Sequence, residues 1–345
     1  MTESNLHSLK KTVLHEHLDG SLRVPTLLDL ADEYGYDGLP ASDAAGLAAS
    51  LHMGDSGSLS KYLEAFEYTI AVMQHEDAIA RVAYENLEDL ASEGVVYAEI
   101  RFGPSLHTAK GLDRSAVIEA VIDGFTRAQR DHGIVWGIIV DALRQDTDSE
   151  TVADLAIRYA DRGVVAFDLA GPEAGNPVRN YLPALRSAKE HGLGITIHAG
   201  EGDGVHSIWQ AVALGAAQRI GHGVRIVEDC VVEDGEIVEV GSVARRIRDH
   251  RIPLEVCPTS NANTAIVATP DDHPLGMLHR AGFAVTLNTD NRLMSNITLT
   301  DEYELATRAF GFDEAIFNEM NRTALNGAFG DWSQRKTLID EHFPA

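Results

Sequence analysis

His15 and His17 stand two residues apart in TVLHEHLDGS, and two imidazoles at that spacing can share one metal ion. The run VLHEHL alternates as a strand does, so residues i and i+2 point to the same side. Taken alone the pair is ambiguous, because an HxH on a protein surface usually binds nothing. Its meaning depends on what the chain places beside it. Further groups able to hold a metal or move a proton are His198 and Glu201 in HAGE, His222 in GHG and Asp290 in NTDN. Each lies at the end of a short apolar run.

Eight such runs punctuate the chain, at 11–17, 95–102, 134–142, 164–171, 194–201, 218–223, 252–258 and 284–290. Near-continuous apolar strands indicate a sheet covered on both faces, hence parallel strands joined by helical crossovers. The intervals carry helical patterns, among them 77–94, 115–133 and 178–192, each closing on a glycine suited to a helix C-terminus. Eight such units predict an α/β fold, a (β/α)₈ TIM-type barrel in preference to an open doubly wound sheet. One catalytic barrel domain is expected over 1–345. The stretch 34–76 exceeds a single crossover and is expected to add helices, a lid, over the C-terminal mouth. The acidic segment 228–241, EDCVVEDGEIVEVG, has a DG turn signal and reads as an exposed hairpin or loop inserted at the surface.

Active sites of such barrels lie at the C-terminal ends of the strands, and the chemically capable residues collect there. Any one of them could be a satisfied histidine or a capping carboxylate. Four separate strand ends carrying ligand-type groups is a different matter. His15, His17, His198 and Asp290 form a set of three imidazoles and one carboxylate, suited to one zinc ion and less selectively to iron or manganese, with a position left for water. Water on such an ion loses a proton near pH ~7. Glu201, three residues beyond His198, can reach back over the mouth as a proton donor. Asp290 can accept the water's proton, and His222 can hold the resulting hydroxide without ligating.

Composition narrows the class. The formal charge of −25 over 345 residues argues against nucleic acid or an anionic membrane surface as partner. The N-terminus MTESNLHSLKK has no apolar core of a signal peptide, and no apolar run approaches a membrane span. Two cysteines, Cys230 and Cys257, are too few for a disulfide framework and point to a reducing cytoplasm.

The blocks HEHLDGS (15–21), DLAG (168–171), HAGE (198–201), GHG (221–223) and NTDN (288–291) resemble the adenosine deaminase family in order and spacing. The resemblance spans nearly the whole chain. It implies a (β/α)₈ barrel with one zinc ion that hydrolyses the 6-amino group of adenosine to give inosine and ammonia in purine salvage. It assigns His15, His17, His198 and Asp290 to the metal, Glu201 to protonation of purine N1, and His222 to the attacking hydroxide. It further places Gly171 against the purine and Asp19 on the ribose 5′-hydroxyl. The segment SLSKYLEAFEYT (58–69) resembles the family's lid, which would bring Leu59, Tyr62, Leu63 and Phe66 near the ribose; its other reading is an ordinary amphipathic helix. One position departs: many members carry a second aspartate where this chain has Asn291, the residue that faces purine N7. An amide donates to N7 at any pH, whereas an acid must first be protonated.

The departure leaves other 6-aminopurines open, aminodeoxyfutalosine or adenine among them. Retention of Asp19 and an apolar lid favours adenosine or 2′-deoxyadenosine. A two-metal amidase or phosphotriesterase type often needs a lysine at a strand end, and none is present here. An inactive binding homologue should lack Glu201 or a ligand. Of the remaining residues, Glu99 and Arg101 read as a buried ion pair supporting the barrel, and Cys257 as a small core residue. AGEGDG (199–204) fails the spacing of a phosphate loop. His7, His52, His75 and His107 lie in polar or loop stretches and read as solvated.

Overall fold

Strand β1 (Lys11–His17) is buried along its whole length except at His17, and parallel partners flank it on both sides. The computed structural model describes residues 3–54 and 56–344, so positions 1, 2, 55 and 345 of the expected 1–345 domain lie outside it. Strands β2 (Val95–Phe102), β3 (Val135–Leu143), β4 (Val164–Ala170), β5 (Gly194–Ala199), β6 (Arg219–His222), β9 (Leu254–Val256) and β10 (Val285–Leu287) follow in parallel register. Their order around the sheet is their order in the chain, the topology of a (β/α)₈ barrel.

The last two barrel strands are three residues each, shorter than expected. A side chain completes the closure instead. Asn288 accepts from the backbone N–H groups of Leu14 and His15 at 2.9 and 3.1 Å, and its amide donates to Val256 and Thr286 carbonyls. One turn further, His17 N–H donates to Asp290 O at 2.8 Å and Asp290 N–H to His15 O at 3.1 Å. The ring is thus pinned at the residues whose side chains converge in its mouth.

Helices Glu76–Ser92 and Arg114–His132 match the patterns read from sequence. The second begins where the Asp113 carboxylate accepts two first-turn N–H groups and ends at Gly133, whose φ of +77° suits a residue without Cβ. The helix expected over 178–192 is instead a 3₁₀ turn (Val178–Tyr181) followed by Leu182–Glu190. Pro183 explains the break, since proline fits the first turn of a new helix but not the middle of an old one. Residues 34–76 form the short helices Ala44–Leu51, Leu59–Tyr62 and Phe66–Val72. Within 228–241, β7 (Cys230–Glu233) and β8 (Glu236–Val240) pair as an exposed antiparallel hairpin, turning at Asp234-Gly235 with both φ positive. No helix among the described residues is long and apolar enough to cross a membrane.

The apolar core lies between strands and helices; the barrel's axis carries charge. Glu99 and Arg101 are both fully buried, but they do not pair with each other. Both point inward from β2, and each finds its counter-charge across the barrel. Arg219 Nη1 donates to Glu99 at 2.6 Å and its Nε to Glu255 at 2.5 Å, while Arg101 donates to Glu255 at 2.6 Å and to Asp168 at 2.7 Å. Removing one partner of a buried pair leaves an uncompensated charge, a cost of about 3–5 kcal/mol. Arg219→Met removes the arginine facing Glu99 and leaves Glu255 with Arg101 alone, and is expected to lose about 3 kcal/mol of stability at neutral pH, read by denaturant unfolding.

Candidate active site

β1, β5 and the residues after β10 deliver the four expected ligands to one point. The side-chain donor atoms of His15, His17, His198 and Asp290 all lie within 4.8 Å of one another. Asp290 Oδ1 is 3.4 Å from both His15 Nε2 and His17 Nε2, and His17 Nε2 is 3.3 Å from His198 Nε2. A tetrahedral ion with bonds of about 2.0–2.1 Å sets its ligand atoms roughly 3.3 Å apart. His15 Nε2 is buried and makes no hydrogen bond, an arrangement costly without a further partner. The residues fit a divalent cation.

Carboxylates behind the imidazoles fix which nitrogen faces the cluster. His15 Nδ1 is 2.9 Å from Glu255, His198 Nδ1 is 2.8 Å from Asp168, and His17 Nδ1 is 3.5 Å from Asp141. With hydrogen held at Nδ1 toward Glu255 and Asp168, the His15 and His198 rings present their Nε2 lone pairs. Burial lowers the pKa of His17 and His198, keeping both neutral and able to ligate. Burial alone would raise Asp290, but the imidazoles beside it hold its carboxyl well below the usual range. Ser260 Oγ donates to its other oxygen at 2.5 Å.

Local backbone serves this convergence. His222 and Asp290 both adopt positive φ, 60° and 61°, a conformation non-glycine residues rarely hold unless their surroundings dictate it. Gly221, just before His222 on β6, is where a Cβ would come within 3.1 Å of the His15 ring and of the His198 backbone.

The cluster floors a cavity whose wall includes Asp19, Leu59, Tyr62, Leu63, Phe66, Gly171, Glu201, His222 and Asn291. Every residue assigned to substrate by resemblance therefore borders one space. Tyr62 is fixed there by a 2.9 Å hydrogen bond with Ser295. Gly171, at φ +89°, has no room for a side chain beside Gln145. Glu201 is buried, its carboxyl 3.5 Å from His222 Nε2. Burial, Asp290 and Glu173 together push its pKa well above the ordinary carboxylate range. Burial likewise pushes Asp19 to about 7.

Other expectations need correction. His107 is fully buried, with Nδ1 on the Met73 carbonyl at 3.0 Å and Nε2 3.8 Å from Asp19. It follows the proline-led turn Pro104–His107, which folds the loop after β2 inward beneath the helix Phe66–Val72. His75 is half-buried and stacks on Tyr34 at 4.0 Å; His7 and His52 are exposed. Cys257 is buried as expected. Sequence reading missed Asp141, Asp168, Glu255 and Glu173. The signal for three of them is a charge at or inside an apolar strand, as in IIVDA, FDLAG and LEVCP. Glu173 gives no such signal, yet it accepts the N–H groups of Gly200, Glu201, Gly202 and Asp203 at 2.7–3.1 Å and so fixes the loop that carries Glu201.

A parallel barrel with a three-imidazole, one-carboxylate cluster beside a buried carboxyl of raised pKa defines a metal-assisted hydrolase. Residues 10–343 match the family model of adenosine deaminase. The adenosine deaminase of Mycobacterium avium is 46% identical over 341 residues, covering 96% of this chain and 93% of that one. Among solved structures, an adenine deaminase from Arthrobacter aurescens superposes with a TM-score of 0.86 at 25% identity, covering 96% and 97% of the two chains. The N6-methyl-AMP deaminase of Arabidopsis thaliana gives 0.81 at 29% identity, covering 98% and 97%. The chain belongs to the adenosine deaminase family.

Carboxylates behind ligating imidazoles typically contribute 10–100-fold to metal affinity. Asp168→Asn is therefore expected to weaken metal binding about 10–100-fold, measured by competition with a chromogenic chelator.

Proposed function

We propose that this chain, with one zinc ion, hydrolyses adenosine and 2′-deoxyadenosine to inosine and deoxyinosine with release of ammonia, in the cytoplasm as part of purine salvage. The observation that carries the reading is the convergence, on one cavity, of Glu201 and His222 with a three-imidazole, one-carboxylate cluster that fits a metal ion. His15, His17, His198 and Asp290 hold the ion, which when bound lowers the pKa of a water molecule. Glu201 donates its proton to purine N1, drawing electron density from C6. Asp290 Oδ accepts the proton leaving the attacking water, and His222 holds the attacking oxygen in line with C6. The new C6–O bond forms as the ring nitrogen is protonated. Asp290 then passes its proton to the departing amino group, the C6–N bond breaks, and the oxygen's remaining proton returns to Glu201. The purine keeps the proton at N1 and ammonia leaves.

The cavity's walls favour a nucleoside over its close alternatives. Leu59, Leu63, Phe66, Ile70 and Leu106 line the cavity with apolar surface, and in this reading they enclose the nucleoside. No lysine or arginine lines it, so a 5′-phosphate would meet Asp19 without a counter-charge. Gly171 backbone contacts the purine face and Asp19 the 5′-hydroxyl in this reading.

A deamination screen over adenosine, 2′-deoxyadenosine, adenine and aminodeoxyfutalosine, with metal analysis, tests the assignment. The two nucleosides are expected to turn over fastest; no turnover of any 6-aminopurine by zinc-loaded enzyme would overturn it. Glu201→Gln should keep its metal and lose ~10²–10⁴-fold in kcat, since an amide cannot deliver the proton. In the native enzyme kcat/KM should fall as pH rises through the raised Glu201 pKa, and that limb should vanish in the variant.

Asn291 tests substrate orientation. Its Oδ1 packs against Gly20, where a Cβ would sit 1.9 Å away, and has no hydrogen-bond partner. Asn291→Asp should add a further alkaline loss to kcat/KM, because a carboxyl donates to N7 only while protonated. An unchanged pH profile with intact affinity would remove Asn291 from the N7 contact.

A further inference from the structure

The role of His222 depends on which of its ring nitrogens carries hydrogen. That choice is made outside the cavity. Leu275 N–H, a first-turn amide of the helix Leu275–Arg280, donates to His273 Nδ1 at 3.0 Å. A backbone amide can only donate, so His273 Nδ1 bears the lone pair. His273 is buried, and burial pushes its pKa down to about 3, so the neutral ring carries its hydrogen on Nε2. That N–H faces Asn261 at 3.1 Å, which must therefore present its carbonyl oxygen there. The other end of the amide, NH₂, faces His222 Nδ1 at 3.0 Å. An NH₂ group only donates, so His222 Nδ1 is in turn the acceptor, and a doubly protonated His222 would set two donors face to face. The hydrogen of His222 is left on Nε2, which looks into the cavity 3.5 Å from Glu201.

We propose that Asn261 and His273 are positioning residues that lock His222 as its Nε2–H tautomer, so that it serves the reaction as a hydrogen-bond donor and not as a base. The relay runs across three separate segments: the end of β6, the helix Pro258–Asn263 after β9, and the turn before Leu275. All three side chains are buried, at 1%, 0% and 3% exposure for His222, Asn261 and His273, so the chain of donors competes with little solvent. With Nε2–H as donor, His222 can hold an oxygen lone pair but cannot take the water's proton, which leaves Asp290 as the acceptor. The catalytic consequence rests on the deaminase reading; the tautomer does not.

The test reads the tautomer directly. In metal-loaded protein labelled with ¹⁵N-histidine, long-range ¹⁵N–¹H correlation is expected to show His222 protonated at Nε2 and unprotonated at Nδ1, with the signal assigned by its loss in His222→Gln. Asn261→Asp offers His222 only acceptor oxygens; the hydrogen should move to Nδ1, with kcat falling at least ~10²-fold while KM and metal content hold, as a misplaced tautomer does in hydrolytic triads. His273→Gln can still donate to Asn261 and should keep the native tautomer, whereas His273→Leu should not. Protonation at Nδ1 in the native enzyme would overturn the proposal, as would full kcat in Asn261→Asp. A protein with the stated tautomer that deaminates no 6-aminopurine would uphold the relay and refute the function.

Discussion

A buried ladder of charge down the barrel axis holds the molecule's chemistry in place. Glu99, Arg219, Glu255, Arg101 and Asp168 alternate in sign, and each is fully buried. Taking such groups out of water costs several kcal/mol each, and a buried ion pair rarely improves on well-packed apolar side chains. Its retention is better explained by what the ladder touches. Glu255 reaches His15 and Asp168 reaches His198, so two imidazoles of the candidate metal cluster are oriented by carboxylates that also face arginines. Arg101 also donates to the Leu14 carbonyl, tying the ladder to the strand that carries His15 and His17. An apolar axis would pack as well but could not fix an imidazole.

Above this rigid floor the site is assembled from short, strained and individually weak pieces. His222 and Asp290 depend on positive φ, the Glu201 loop on four N–H groups gathered by Glu173, and barrel closure on the side chain of Asn288. None would persist in isolation, since each costs backbone entropy or strain. Together they leave no low-energy alternative, and the cluster is held in position by the fold that surrounds it. The helices from 34–76 contribute differently, as an apolar wall over a floor that is already complete.

The barrel was legible because its strands are apolar on both faces and end in polar residues, a pattern that survives in one dimension. The converging cluster was legible for the same reason, as His15, His17, His198 and Asp290 each follow such a run. What was hidden depends on pairing across the barrel. Glu99 and Arg101 look like partners because they are two residues apart, yet strand geometry aims both inward at charges on β6, β9 and β4. His107 looks solvated amid polar neighbours, but a proline-led turn folds it under a helix. Asn261 and His273 carry no periodic signature at all; their meaning lies in the direction of hydrogen bonds between segments that sequence does not show to be adjacent.

The same chemistry explains how one cavity holds carboxyls in opposite states. Glu255 lies within reach of two arginines, and although burial opposes it, its pKa is driven well below the ordinary range. Asp290 is held low by the imidazoles around it. Glu201, Asp141 and Asp19 are as deeply buried, but no arginine or lysine makes an ion pair with them, and their pKa values rise. Residue type therefore predicts nothing about protonation here; the groups each carboxyl faces do. Two carboxyls of one side-chain class then face the same cavity with their pKa values driven apart, Glu201 upward and Asp290 downward.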